Sequence, residues 1–574
     1  MNASISSTNA EIAELLRGDF IQSDYGNVIL PFTLLRRLDC ALEPTKEKVL
    51  EVARRTMKDA AAVRAAQLIR ASGYKFYNLS PMTLKSVLND PDKVKSSLLN
   101  YLALFSDDAR DIFEHYKLAE QIETLSEKNL LYKVLEQFVK VDLHPKRVSN
   151  VEMGQVFEDM IRRYAELSNA TAGEHFTPRE VIGLMVDLLF QADDKALSEP
   201  GIISTIYDPT AGTGGMLSVA EEHLRAMNPR AKLRCYGQEL NDQSYAICKA
   251  DMMIKGQDVE KIVQGNTLSD DKHAGRSFQY MLSNPPFGVD WKKVKEAVES
   301  EHKKGFKGRF GAGLPRINDG SMLFLQHLLA KMRPPKDGGS RIGIVLNGSP
   351  LFTGGAGSGE SEIRRWILES DYLEGIVALP PDMFYNTGIS TYVWILTNHK
   401  EPKRRGKVQL VNAAGFFEKM RKSLGSKRKC ITPEQVREIV RIYGAFEEGE
   451  LCHIIPNEAF GYSTITVERP LRDATGAVVL GQKGKLKGQP QPDASLRDTE
   501  NVPLAEDIDA YFQREVLPHV PDAWIDAEKT KVGYEIPFTR LFYKYQPPRS
   551  LSEIDADLKA KVARIQNLLA EIAA

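Results

Sequence analysis

The chain has 574 residues, 42% hydrophobic and 27% charged, the balance of a globular protein with about two to four domains. That composition excludes a disordered chain and a collagen-like or coiled-coil rod, and no apolar run approaches the roughly 18 residues needed to cross a bilayer as a helix. Basic and acidic residues nearly cancel (76 against 77, net −1), which argues against coating nucleic acid by bulk charge and leaves room for local contact or a partner.

Residues 1–150 are expected to form a helical domain. Apolar residues recur there at three- and four-residue spacing in EIAELL, VILPFTLLRRL and NLLYKVLEQFV. The N-terminus lacks a basic region followed by an apolar core, so no secretory signal is expected. Over 151–415 short apolar runs (IISTIY, LRCYGQE, YMLS, RIGIVLN, LEGIVALP, TYVWILT) alternate with helical segments. Continuous apolar strands separated by helices predict an α/β fold with a doubly wound, mainly parallel, Rossmann-like sheet, whose ligands sit beyond the carboxyl ends of the strands. Residues 416–574 form a C-terminal region with an exposed linker at 481–501 and a helical tail. Leu558, Val562, Ile565, Leu569 and Ile572 make a short a/d seam in that tail, suited either to packing on its own domain or to a partner helix. The five cysteines (Cys40, Cys235, Cys248, Cys430, Cys452) are scattered without a CxxC pair, and no histidine has a partner at ligand spacing. No metal site or disulfide framework is expected, and a reducing cytoplasm fits.

Two motifs carry chemistry. Asp208-Pro-Thr210-Ala211-Gly212-Thr213-Gly214-Gly215 follows the strand IISTIY and precedes a helical segment, the arrangement of a nucleotide-type site. Its spacing is neither G-x-G-x-x-G nor a P-loop. Glu239 closes the next strand, where a carboxylate can accept both hydroxyls of a ribose. A ribose without a pyrophosphate signature favours S-adenosylmethionine. The second motif, Asn284-Pro285-Pro286-Phe287, ends the strand YMLS. Two prolines stiffen the turn, so the side-chain carbonyl of Asn284 and the carbonyl of Pro285 can converge on an exocyclic amine. Phe287 offers an aromatic face to a base extruded from its helix.

The order DPTAGTGG, Glu239, NPPF resembles the S-adenosylmethionine-dependent amino-methyltransferases in their N6-adenine form. Gly173-Glu174-His175-Phe176-Thr177-Pro178-Arg179 is similar to the cofactor-binding segment of the modification (methyltransferase) subunits of type I restriction–modification systems. His175 stands where relatives often carry Tyr. Gly265-Asn266-Thr267-Leu268 matches the family's segment near the cofactor adenine, and Asn386-Thr-Gly-Ile-Ser-Thr-Tyr-Val-Trp-Ile-Leu396 its target-base pocket. The helical N-terminus and the ending also resemble that family. The resemblance implies a DNA adenine-N6 methyltransferase acting with DNA and a separate DNA-specificity subunit. It further implies a second copy of this chain, a restriction (translocase/nuclease) subunit and no membrane, with the terminal helix as a docking surface.

Residues 289–316 form a basic insertion carrying Lys292, Lys293, Lys303, Lys304, Lys307 and Arg309 with Phe306 and Phe310, suited to phosphate contacts or to a solvated loop. The glycine-rich run 348–359, on the ligand edge, reads as a flexible surface loop without contact or as a mobile loop near the target strand. Two rivals stand beside the main reading. One is a self-sufficient methyltransferase acting on DNA, RNA or protein glutamine, and the other is a silent scaffold that keeps the fold.

Overall fold

A computed structural model describes residues 2–150, 152–154, 156–157, 159–160, 177–193, 197–199, 201–385, 387–483, 487–543, 545 and 549–573. From Asn2–Leu16 to Leu131–Val139 the elements are helices. Tyr25–Leu42 runs through the middle of this block, buried continuously from Val28 to Leu42. Burying two arginines on that helix is tolerable because the terminal nitrogens of each find acceptors, while Arg37 Nε has none among the described residues. Arg36 pairs with Asp39 at 2.7 Å, and Arg37 donates to the carbonyl of Val148 at 2.7 Å and to Asn150 Oδ1 at 2.6 Å. The block docks on the helix Asp242–Ile254 through Lys249 Nζ to Asp111 (2.7 Å) and Gln243 Nε2 to Asn27 Oδ1 (2.9 Å).

The expected doubly wound sheet is present. Its strands are β1 (Ile203–Asp208), β2 (Lys232–Glu239), β3 (Ile262–Gln264), β4 (Tyr280–Ser283), β5 (Arg341–Asn347), β6 (Leu373–Ala378), β7 (Thr391–Thr397) and β8 (Lys407–Asn412). The hairpin β9 (Glu418–Leu424)–β10 (Lys427–Cys430) lies outside it, and β11 (Cys452–Pro456) completes it. The order is β11-β8-β6-β7-β5-β4-β1-β2-β3, parallel except where β7 enters between β5 and β6 and where β11 pairs with β8. The sheet therefore takes a strand from beyond residue 415, where the apolar rhythm of the sequence places the domain's end. β6 and β7 are buried at every position, as strands covered on both faces must be. Strand order reverses between β1 and β4, and the crevice of a doubly wound sheet opens beyond such a switch point.

One buried ion pair ties β5 to β6. Arg341 grips Glu374 with both terminal nitrogens (3.1 and 2.8 Å), and Tyr443 donates to the same carboxylate at 2.8 Å. Burial pushes the Glu374 carboxyl up, but the Arg341 guanidinium outweighs it and holds the group at about 2. Because this pKa is depressed, its contribution to stability is present above the unfolded value near 4.5 and disappears as pH falls from there toward 2. Glu374→Ala, which strands Arg341 in the interior, is expected to cost about 3–5 kcal/mol. It should also flatten the acid limb of a urea-unfolding series between pH 5 and 3, and an unchanged limb would refute the assignment.

Beyond the sheet, β12 (Gly461–Glu468) pairs with β13 (Asp498–Pro503) and β14 (Trp524–Tyr534). The described part of 481–501 is mostly exposed, with Gly481, Pro492 and Asp493 partly covered. Bridges join Leu480 to Pro490 and Gly481 to Lys487, and Asp498–Asn501 lie within β13. Residues 537–574 form a separate unit. Its helix Leu551–Ala573 leaves Leu558, Val562, Ile565 and Leu569 between 51% and 61% exposed. Among the described residues, no helix is long and apolar enough to cross a membrane.

Candidate functional site

The two chemical motifs end adjacent parallel strands, so they meet although they are far apart in sequence. Asp208, last in β1, accepts the backbone N–H of Thr210 at 2.9 Å and its hydroxyl at 3.2 Å. Thr210 Oγ1 lies 2.9 Å from Ser283 Oγ, last in β4. A hydroxyl bridge thus joins the glycine loop to the residue before Asn284. Burial raises the Asp208 carboxyl to about 7 against the Thr210 N–H, and the nearby charge of Glu239 adds to the rise. Thr267 clamps a third segment, donating to the carbonyl of Pro209 at 2.6 Å.

Glu239, at the end of β2, is held by backbone on both sides. Oε2 accepts from Gly212 N (2.7 Å) and Oε1 from Asn241 N (2.8 Å). The loop needs its glycines at two positions. Gly214 has φ +84° and a Cβ there would fall 2.8 Å from Cys248 Sγ, whereas Gly212 has φ +54° and open space where a side chain would be. Asn284 Nδ2 donates to Thr177 Oγ1 at 2.8 Å, which commits the amide nitrogen and leaves Oδ1 as its acceptor. Phe287 packs edge-to-face on Phe384, centroids 6.0 Å apart.

These groups surround a cleft of about 720 Å3, within the usual range for a small-molecule site. Of the sequence-derived residues, Thr177, Asp208, Thr210, Ala211, Gly212, Thr213, Gly215, Glu239, Asn266, Thr267, Asn284 and Pro286 line it. Pro178, Gly214, Pro285 and Phe287 are not among its lining residues. Arg179, at the start of the helix Arg179–Phe190, lines instead a small neighbouring pocket with Asn150 and Asp251, which meets the cleft only at Thr213 and Gly215. Glu174, His175, Phe176 and Asn386 lie outside the described residues. Leu240, Asn241 and Phe324 also line the cleft and were not anticipated, and Lys293 of the basic insertion joins them. Leu240, 60% exposed beside the ribose-type carboxylate, was visible as an apolar residue just past a strand end. Phe324 sits in an apolar helix with nothing to mark it. Among the described residues, no cluster of His, Cys, Asp or Glu could hold a metal.

The basic insertion divides in two. Lys292, Lys293, Lys303, Lys304 and Lys307 are exposed, as is Phe306. Arg309 and Phe310 instead turn inward. Arg309 pairs with Glu301 and donates to the carbonyls of Thr267 (2.6 Å) and Leu268 (2.8 Å), while Phe310 packs with Trp291, Val298 and Leu323. These two residues therefore anchor the insertion to the cleft wall and are not placed to meet phosphate. The glycine-rich run 348–359 is braced as well, because buried Arg364 donates to the carbonyls of Pro350, Thr353 and Gly354.

A family model described as N-6 DNA Methylase matches residues 149–463, more than half of the chain. The chain belongs to the N-6 DNA methylase family. The HsdM N-terminal domain model matches residues 7–138, the helical block. Among relatives, the methylase subunit of the type I restriction enzyme MjaIX of Methanocaldococcus jannaschii is 28% identical over 306 residues, 53% of this chain and 50% of that protein. The MjaVII methylase subunit of the same organism is 27% identical over 360 residues, 62% of this chain and 58% of that protein. The chain thus spans about half the length of the curated relatives it matches. The methyltransferase subunit of a type I restriction-modification system from Streptococcus thermophilus shares the fold, with a TM-score of 0.61 at 22% identity over 80% of this chain and 97% of that one. The family resemblance drawn from the motifs agrees with these matches.

Proposed function

We propose that this N-6 DNA methylase transfers the methyl group of S-adenosylmethionine to the N6 amine of an adenine extruded from DNA. It would act as the modification subunit of a type I restriction–modification enzyme in the cytoplasm. The observation that carries this reading is the Thr210–Ser283 bridge, which holds the glycine loop, Glu239 and Asn284 around one cleft.

The cleft suits the cofactor. Its volume admits a nucleoside, Gly212 leaves backbone approachable, and Glu239 keeps a carboxylate beside the exposed face of Leu240. Glu239 would take the ribose hydroxyls, Leu240 the face of the adenine, and Asn266 and Thr267 its edge. Segment 174–178, with Asp208 and residues 210–215, would complete the cofactor site. When bound, S-adenosylmethionine supplies an electrophilic methyl group on a sulfonium.

The protein's part is to present the nucleophile. Asn284 Oδ1 and the carbonyl of Pro285 accept the two N–H bonds of the target amine, drawing its lone pair out of conjugation with the ring. Pro286 stiffens the turn, and Phe287, fixed by Phe384, stacks on the base. Held there by Asn284 and Pro285, the amine would take the methyl group that the sulfonium supplies as it departs as a neutral thioether, and would then shed its proton to water. No strong base is required. Sequence recognition would come from a separate specificity subunit that docks on the exposed seam of Leu551–Ala573. A second copy of this chain and a restriction subunit would complete the assembly.

The test is methyl transfer from labelled S-adenosylmethionine to unmethylated DNA, by the chain alone and with the specificity protein encoded beside it. N6-methyladenine appearing only with the partner is expected. Activity from the chain alone would make it a self-sufficient enzyme, and transfer to RNA or protein instead of DNA would overturn the substrate.

A further inference from the structure

The hairpin β9–β10 stands apart from the main sheet as a two-stranded ribbon, turned by Gly425 at φ +60°. It carries six basic residues (Lys419, Arg421, Lys422, Lys427, Arg428, Lys429) against the single acid Glu418, in a chain whose charges nearly cancel overall. Lys419, Arg421, Lys422 and Arg428 are exposed, and none forms an ion pair with a described residue. Side chains alternate along a strand, so Lys419 and Arg421 share one face and Lys422 takes the other. Positive charge therefore surrounds the ribbon.

A ribbon this short is marginal alone, and the remaining basic residues show what holds it. Lys427 is buried, pairs with Glu180 and lies over the ring of Tyr385 at 5.6 Å. Lys429 pairs with Asp382 and sits 4.1 Å over Phe417. The backbone is stitched to the β6–β7 loop, with Ser426 N donating to the carbonyl of Tyr385 (2.7 Å) and Arg428 N to that of Asp382 (2.9 Å). That loop carries Phe384, the residue packed on Phe287. Glu180 is in the first turn of the helix that begins just past Thr177, the partner of Asn284. Two short chains of contact thus set the ribbon beside the Asn-Pro-Pro-Phe turn.

We propose that this ribbon is a DNA-backbone contact, with Lys419, Arg421, Lys422 and Arg428 neutralising phosphates that flank the extruded adenine. The assignment rests on the function proposed above. A duplex must be held while a base leaves its stack, and one-signed charge beside the turn proposed to receive that base supplies the counterpart to phosphate. Lysines on edge strands also discourage edge-to-edge pairing. Glutamates serve that purpose equally well, so charge reversal separates the two roles.

The experiment uses the full chain assembled with its specificity protein. The triple variant Lys419→Glu, Arg421→Glu, Lys422→Glu should weaken DNA binding at least about tenfold. The slope of log K against log salt should become shallower by about one for each phosphate that is no longer neutralised. S-adenosylmethionine affinity should persist, as should a monodisperse sedimentation profile. In the unaltered enzyme, DNA should shield Lys419 and Lys422 from acylation, a readout independent of how the variant folds. Unchanged DNA affinity and slope in the variant, or no shielding in the unaltered enzyme, would overturn the ribbon assignment while leaving the methyltransferase reading intact. Failure of the unaltered complex to bind or methylate any DNA would overturn both.

Discussion

Asn284→Ala is expected to lower methyl transfer in the assembled enzyme at least about a hundredfold, the usual effect of deleting one preorganised polar group at a reacting centre. S-adenosylmethionine affinity should stay within a few-fold. The two effects separate because Asn284 follows β4 and Glu239 ends β2, two different strands of the same sheet. The glycine loop is held to Ser283 rather than to Asn284, so truncating the amide leaves the cofactor wall in place. What disappears is the acceptor that Thr177 orients by engaging the amide nitrogen. Thr177→Val tests that detail. With its nitrogen released the amide can rotate, and a smaller fall in turnover is expected, again with little change in cofactor affinity. Single-turnover transfer from labelled cofactor measures both variants. Turnover of Asn284→Ala within threefold of the unaltered enzyme would remove the tetrapeptide from the chemistry.

Much of this site was legible because its residues sit at strand ends, and strand ends are what apolar periodicity marks best. IISTIY and YMLS are short apolar runs, each closed by a motif that cannot continue a strand. A doubly wound sheet brings such ends together, as the pairing of β1 with β4 shows. What stayed hidden depends on the direction of single side chains. Arg309 reads like the lysines around it, yet Glu301 and two carbonyls draw it inside. Arg179 reads like its neighbours in the 173–179 segment but leaves the cleft at the first turn of a helix. β11 was missed because the two strands before it, β9 and β10, are polar and half exposed, which breaks the apolar rhythm that announced the others. The same polarity concealed the ribbon. A strand that buries almost nothing leaves no hydrophobic trace, and only its uniform charge marks it.

Glu239→Ala should weaken S-adenosylmethionine binding by about tenfold to a hundredfold or more, since hydrogen bonds to a charged acceptor each contribute about 1.5–3 kcal/mol. Two losses are mixed in that figure. The carboxylate is proposed to accept the ribose hydroxyls, and it also accepts the N–H groups of Gly212 and Asn241 that shape the loop. Glu239→Gln does not separate them, because the amide nitrogen would face one of those N–H donors with another donor. A cofactor analogue lacking the 2′-hydroxyl does. If Glu239 holds the ribose, the analogue should bind the unaltered protein roughly tenfold more weakly than the cofactor, yet bind Glu239→Ala about as well as the cofactor does. The coupling between hydroxyl and carboxylate is then the energy of that contact. Calorimetric titration of both ligands against both proteins gives the four affinities. Should the penalty for the missing hydroxyl persist in Glu239→Ala, the carboxylate acts only by holding the loop, and the ribose must be gripped by another group in the cleft.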